Sequence, residues 1–190
     1  MGDKFGEVFI FAIINDNKQQ ANKMIKIEEQ KIIAAAEEGM DAFLKVFTDA
    51  YIEALGEEMT AESMGMLNGY QHTLLAYRYF CDELNVGGFV QLIHNGYGGY
   101  IFDNPTAMAL RQMGAKGVSK LIYKAKEIFD KHREELEEEA MGEEDFMARY
   151  EKFEQFDELE EKFMEIEEEE TMIIAHYVDE HIEDFAEIVQ

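Results

Sequence analysis

The chain has only one cysteine, Cys81, so it can form no internal disulfide, and a reducing compartment is the expectation. Cys81 lies between Phe80 and Asp82 in an apolar run and reads as a core residue rather than a nucleophile. Proline is also nearly absent, with Pro105 alone, which disfavours a strand-and-turn architecture and suits helix. No apolar run is long enough to cross a bilayer. The stretch from Val8 to Ile14 follows Asp3 and Glu7 and is followed by Asn15, Asp16 and Asn17 without a small-residue cleavage site, so it does not read as a signal peptide. A cytoplasmic location is therefore expected. Bases are scarce, with 17 Lys and Arg against 42 Asp and Glu, a formal net charge of -25. That balance argues against direct nucleic-acid binding, which needs a basic patch for the phosphates, and against an anionic membrane surface.

What the chain does have is apolar bulk: 47% of its 190 residues are hydrophobic, including 14 Phe and 9 Tyr, enough to bury one sizeable core despite the charge. No internal repeat of solenoid length is discernible. The expectation is an all-α protein, a single compact multi-helix domain over 1–190 with an acidic carboxyl-terminal helical region. The acidity is local. Residues 127–190 hold 26 acids and 5 bases, whereas residues 1–126 hold 16 acids and 12 bases.

Along the chain, Phe5 to Ile14 is ambiguous between a short strand and a buried helix. Lys18 to Glu38 reads as a helix stopped by Gly39, and Asp41 to Leu55 as a second, with Phe43, Leu44, Phe47, Tyr51 and Leu55 on one face and Gly56 at its end. Thr60 is placed to cap a helix running through to Leu84. Asn85-Val86-Gly87-Gly88-Phe89 must break it, since paired glycines weaken a helix and supply positive φ cheaply. A short helix from Phe89 to His94, a second glycine-rich turn from Asn95 to Tyr100, and a helix from Pro105 to Met113 capped by Asn104 follow. Another helix begins near Val118 and continues to Phe129. Phe146, Tyr150, Phe153, Phe156, Leu159, Phe163 and Ile166 then step by 3 or 4, a continuous apolar stripe on one helix face with carboxylates between. A final helix carries Ile174, Tyr177, Val178, Ile182, Phe185 and Val189 inward.

Little of this suggests chemistry. The glycine stretches are not a phosphate cradle, because no Lys or Arg lies between Arg78 and Arg111. Their reading is structural, with Asn85, Gln91 and Asn95 bonding backbone groups that the turns leave unpaired. His176 with Asp179 and Glu180, and His181 with Asp184, have spacings that share a helix face, but no Glu-x-x-His motif accompanies them. Ser63 and Ser119 lack a nucleophile-elbow context. The sequence thus points to no catalytic residue, metal or cofactor.

One stretch resembles a known family. Glu83-Leu84-Asn85-Val86-Gly87-Gly88-Phe89-Val90-Gln91, followed by Asn95, Gly98 or Gly99, and Tyr100, is similar to the E-x-N-N-G-G-F-x-Q-x-x-x-N-x-x-G-x-Y signature of a bacterial DNA-mimic protein family. Val86 replaces the second Asn of that signature. The segments Ala109-Leu110 with Met113-Gly114-Ala115, Leu121 with Lys124-Ala125, Phe156 to Phe163, and Tyr177 to His181 with Phe185 match further family elements in order, so the resemblance covers roughly 60–187. The preceding segment, 1–56, carries no such resemblance. The family implies an all-helical fold and, for its characterised member, an acidic surface that imitates duplex DNA and occupies a DNA-binding transcription regulator.

The charge density is compatible with that role. Were residues 127–190 all helical they would span roughly 96 Å, and folded as an antiparallel pair they would carry about one net charge per 2.3 Å, against ~1.7 Å for duplex DNA. Like-charge pairs such as Glu134/Glu138, Glu135/Glu139, Glu154/Glu158 and Glu161/Glu165 each cost a few tenths of a kcal/mol. The expected phosphate-mimicking residues are Glu134, Glu135, Glu137, Glu138, Glu139, Glu154, Asp157, Glu158, Glu161, Glu165, Glu167, Glu168, Glu169 and Glu170. The expected partner is a basic DNA-binding protein, and a homodimer is compatible with this reading. The alternative is a protein-interaction or immunity-type module that uses the glycine-motif surface, with the acidic face only solubilising.

Overall fold

A computed structural model describes residues 24–56, 61–138 and 142–190, and over them the protein is all-α. A short strand β1 (Lys26–Glu28) leads into α1 (Glu29–Glu38), α2 (Met40–Leu55), α3 (Ala61–Met64) and the long α4 (Gly69–His94). Then come α5 (Tyr97–Phe102), α6 (Thr106–Gln112), α7 (Lys116–Leu136) and α8 (Glu143–Lys152). A 3₁₀ turn (Glu154–Phe156) opens α9 (Asp157–Glu180), and α10 (Ile182–Phe185) and β2 (Glu187–Val189) follow. The strands pair in parallel, Ile27 opposite Ile188.

One buried cluster runs from Ile27 to Ala186. At its centre Phe80 of α4 meets Phe89 beyond the glycine kink and Phe163 of α9, edge to face at 5.7 and 5.3 Å. Phe89 in turn stacks on Phe156 at 5.1 Å. Such ring pairs contribute about 0.5–1.5 kcal/mol each beyond burial. They tie the acidic third to the central helix, so α9 packs with its apolar side on α2, α4 and α7.

Several sequence expectations are corrected. Of the helix expected over Lys18–Glu38, residues 18–23 lie outside the described residues and the described helix begins at Glu29, because Lys26–Glu28 pairs with β2 instead: strand pairing supplied from far along the chain overrides local helix preference. The helix expected up to Leu84 is interrupted between Met64 and Gly69. It restarts under a capping box in which Asn68 and Gln71 each accept from the other's backbone N–H, both at 2.9 Å. The glycine break is a kink inside α4, with Gly87 at φ -157°, ψ 17° and Gly88 at φ 69°, ψ -166°. The second glycine turn is confined to Asn95 and Gly96, and Tyr97 already begins α5. Asn104 does not cap α6; its amide donates to the Tyr100 carbonyl at 3.0 Å and closes α5. The aromatic stripe is buried as expected from Phe153 to Phe163 but lies on two helices and a 3₁₀ turn, not one continuous face. The final helix expected from Ile174 to Val189 is divided: α9 ends at Glu180, Ile182 and Phe185 lie in the short α10, and Val189 lies in β2. Phe5–Ile14, Thr60 and Glu139 lie outside the described residues.

His72 is fully buried, and both ring nitrogens are used. Nε2 donates to the Met64 carbonyl and Nδ1 accepts from the Tyr100 hydroxyl, each at 2.9 Å. Burial lowers its pKa from 6.5 to about 4, against the raising effect of the Met64 carbonyl. Between those values the unfolded chain binds a proton that the folded one refuses, so this contribution is complete above pH 6.5 and is lost as pH falls toward 4. Urea titrations at pH 7 and 4.5 are expected to show a loss about 2 kcal/mol smaller in His72→Asn than in wild type. The carboxylates titrate alike in both proteins, so equal pH dependence would refute the assignment.

Candidate partner-binding surface

Helix α9 is amphipathic by construction. Leu159, Phe163, Ile174 and Val178 recur at helical spacing and are buried, while Asp157, Glu158, Glu161, Glu165, Glu168 and Glu169 are exposed. Acids in the first turn also oppose the positive end of the helix dipole. With Asp179 and Glu180, and Lys162 subtracted, the outer side carries a net charge of -7. Spread along ~36 Å of helix, that is about one charge per 5 Å, against ~3.4 Å for one DNA strand. Glu134 at the end of α7 and Glu154 in the 3₁₀ turn are exposed as well.

The bases of this region act mainly as internal staples. Arg133 forks the two oxygens of Asp103 at 2.8 and 2.6 Å and lies over the Phe129 ring at 4.3 Å. Burial acts to raise the Asp103 carboxyl pKa, but the Arg133 hydrogen bonds and charge outweigh it and hold that carboxyl below its ordinary value. Arg133 also lies 3.7 Å from Glu137. Lys152 pairs with Glu135, Lys162 with Glu165 at 2.6 Å, and Arg149 donates to the Glu138 carbonyl and to Asp145. Glu135 and Glu165 are therefore partly neutralised, and Glu138 is exposed beside its own engaged backbone.

Two of the expected phosphate mimics face inward. Glu170 is only 8% exposed, and its carboxylate accepts from the Gly117 and Val118 N–H groups, both at 3.0 Å. It thus caps the start of α7 from another helix, satisfying orphan donors there. Glu167 is half-buried and accepts from the Asn85 amide at 2.6 Å. Glu160, which the sequence reading passed over, plays the same part as Glu170: it accepts from the Phe89 N–H at 2.7 Å, at the restart of α4 after the kink. Burial raises the Glu160 pKa, partly offset by that bond and helped by Asp157 nearby. Two positions ten residues apart on α9, Glu160 and Glu170, thus hold internal caps, a signal indistinguishable in sequence from the solvent-facing acids around them.

The glycine motif has no outward role for most of its residues. Phe89 and Tyr100 are buried, and Gly87 and Gly88 form the kink. Gln91 and Asn95 both donate to Glu83, at 3.1 and 2.8 Å, rather than to backbone groups as expected. The Gly99 carbonyl accepts from the Asp103 N–H at 3.1 Å. Between Phe89 and Tyr100, His94, Asn95 and Gly96 are exposed, while Phe89, Val90, Leu92, Ile93, Gly98 and Tyr100 are buried. Elsewhere, His176 lies 3.4 Å from Glu180, and His181 Nδ1 is 2.8 Å from the Tyr177 carbonyl. Among the described residues no three His, Cys, Asp or Glu side chains are grouped to hold a metal. Burial pushes the Cys81 thiol well above its ordinary pKa, away from nucleophilic use.

Fold and surface together define an all-helical acidic protein with an exposed carboxylate face. Residues 65–181 match the family described as DMP19-like protein, and the chain belongs to that family. A curated relative, DNA mimic protein DMP19 of Neisseria meningitidis serogroup B (strain ATCC BAA-335 / MC58), is 36% identical over 149 residues, 78% of this chain and 90% of the relative.

Proposed function

We propose that this protein is a non-enzymatic DNA mimic whose acidic face occupies the DNA-binding surface of a basic protein such as a transcription regulator. The observation that carries the reading is the outward carboxylate row of α9: Asp157, Glu158, Glu161, Glu165, Glu168 and Glu169. Glu134, Glu138 and Glu154 extend it onto neighbouring elements. Membership of a family with a relative named for DNA mimicry supports the same role. Each carboxylate stands in for a phosphate oxygen and meets Lys or Arg of the partner, so affinity falls steeply with salt.

The test is competition. A DNA-binding protein retrieved by this chain at low salt is loaded with its fluorescently labelled duplex. Addition of the chain is expected to release the duplex, and a rise from 50 to 200 mM salt to weaken binding of the chain to the retrieved protein by at least tenfold. Simultaneous binding of chain and duplex, or retrieval of no DNA-binding protein, refutes mimicry.

A further inference from the structure

Residues 104–126 contain no Asp or Glu, in a chain with 42 acids among 190 residues, yet hold Arg111, Lys116, Lys120, Lys124 and Lys126. Lys126 is engaged by Asp103 and Asp130, at 3.4 and 3.0 Å. Arg111, Lys116, Lys120 and Lys124 are exposed and form no ion pair among the described residues. The three lysines recur every fourth residue and stand about one turn apart on the outer face of α7, opposite the buried Val118, Leu121 and Ala125. Tyr123, 46% exposed, shares that face, and Met108, 50% exposed, stands on α6.

Of the stripe, Lys116 stands in the first turn of α7, where a cation weakens a helix; the Glu170 carboxylate caps that end from α9, and Arg133 stands in the last turn. Along the outer face the sign changes from Lys116, Lys120 and Lys124 to Glu127, Asp130 and Glu134 within one helix ~32 Å long, so a single partner surface can meet both halves.

DNA has no positive surface to offer. An acidic face alone suits every basic DNA-binding protein: it speeds association and rejects acidic partners, whereas choice among basic ones comes from further contacts or from an element that clashes with the wrong one. Resting on the mimicry proposed above, we infer that the stripe of Arg111, Lys116, Lys120 and Lys124 is the specificity-determining surface of this protein, docking on carboxylates that border the basic DNA-binding face of its partner. A DNA-binding protein with a wholly basic rim is repelled by the stripe. Nucleic acid fits the stripe less well: the ~12 Å from Lys116 to Lys124 would face roughly seven duplex phosphates, with the acids of the same helix beside them.

The experiment compares wild type with K116E/K120E/K124E and K116Q/K120Q/K124Q, with folding checked by thermal melts. Calorimetric titration uses two probes: the purified DNA-binding protein that wild type retrieves, and poly-L-lysine. Reversal makes the chain more acidic, so bulk electrostatics alone would tighten binding to both. The expected result is tighter binding of poly-L-lysine but at least tenfold weaker binding of the retrieved protein, with the glutamine variant between. Equal or tighter binding of the retrieved protein by the reversal variant overturns the inference and leaves mimicry standing. Retrieval of no DNA-binding protein overturns both. Duplex DNA retained by wild type and lost on reversal assigns the stripe to nucleic acid and also overturns it.

Discussion

Replacing Glu158, Glu161, Glu165 and Glu168 together by Lys is expected to weaken partner binding on the order of 10²- to 10⁴-fold while leaving the fold intact. All four are exposed on α9, and among the described residues only Glu165 has an ion-pair partner, Lys162. An exposed ion pair contributes about 0.2–1 kcal/mol, and reversal replaces attraction by comparable repulsion, so four reversals remove roughly 2–8 kcal/mol, with the middle of that range near the 10²- to 10⁴-fold expected. The substituted chain should also lose most of the salt dependence of binding, because fewer carboxylates remain to pair with the partner's cations. Reversal of Glu37 and Glu38, exposed at the end of α1, serves as the control and should change affinity less than about threefold. If the four α9 reversals do no more than this control, the α9 face is not the contact.

The all-helical class was legible because its signals are local: apolar spacing of 3 and 4 in Phe43 to Leu55 and Val118 to Phe129, with glycines at the ends. What escaped was set by partners distant in sequence. Lys26–Glu28 has no strong strand pattern of its own; Glu187–Val189, at the other end of the chain, makes it a strand. The long stripe from Phe146 to Ile166 looked like one helix because burial alternates at helical spacing throughout. Yet the chain turns at Phe153, φ -104° and ψ 34°, and keeps its aromatics inward by changing direction.

The candidate surface divides in the same way. Amphipathicity placed Glu158, Glu161 and Glu168 outside correctly, since only the period matters there. It could not separate Glu170 from Glu169, one residue apart in a run of four glutamates. The difference is that the start of α7 lies against α9 at Glu170 and presents two N–H groups without helical acceptors. Nor could it assign Asn85 to Glu167 or Glu160 to Phe89, which join residues 82 and 71 positions apart. The family motif and the acidic helix therefore form one structure: the kink at Gly87 and Gly88 turns an N–H toward α9, and a glutamate answers it.

That coupling makes Gly88→Ala the substitution with the largest expected effect on stability, about 2–6 kcal/mol. Gly88 sits at φ 69°, ψ -166°, a region where a side chain is strained by about 1–3 kcal/mol. An added methyl would also lie 2.2 Å from Glu160 Oε1, so the carboxylate must swing away. The Phe89 N–H, bonded to that carboxylate at 2.7 Å, then loses its acceptor at a cost of about 1–3 kcal/mol. In a chain of this length the sum lowers the melting temperature by roughly 10 °C. The two contributions are separable by a double-mutant cycle with Glu160→Ala. Once that carboxylate is gone, the alanine at 88 displaces nothing and should cost only the backbone strain, so the two substitutions together fall short of additivity by about 1–2 kcal/mol. A loss below about 1 kcal/mol for Gly88→Ala alone, or strict additivity in the cycle, would show that the kink does not depend on Glu160.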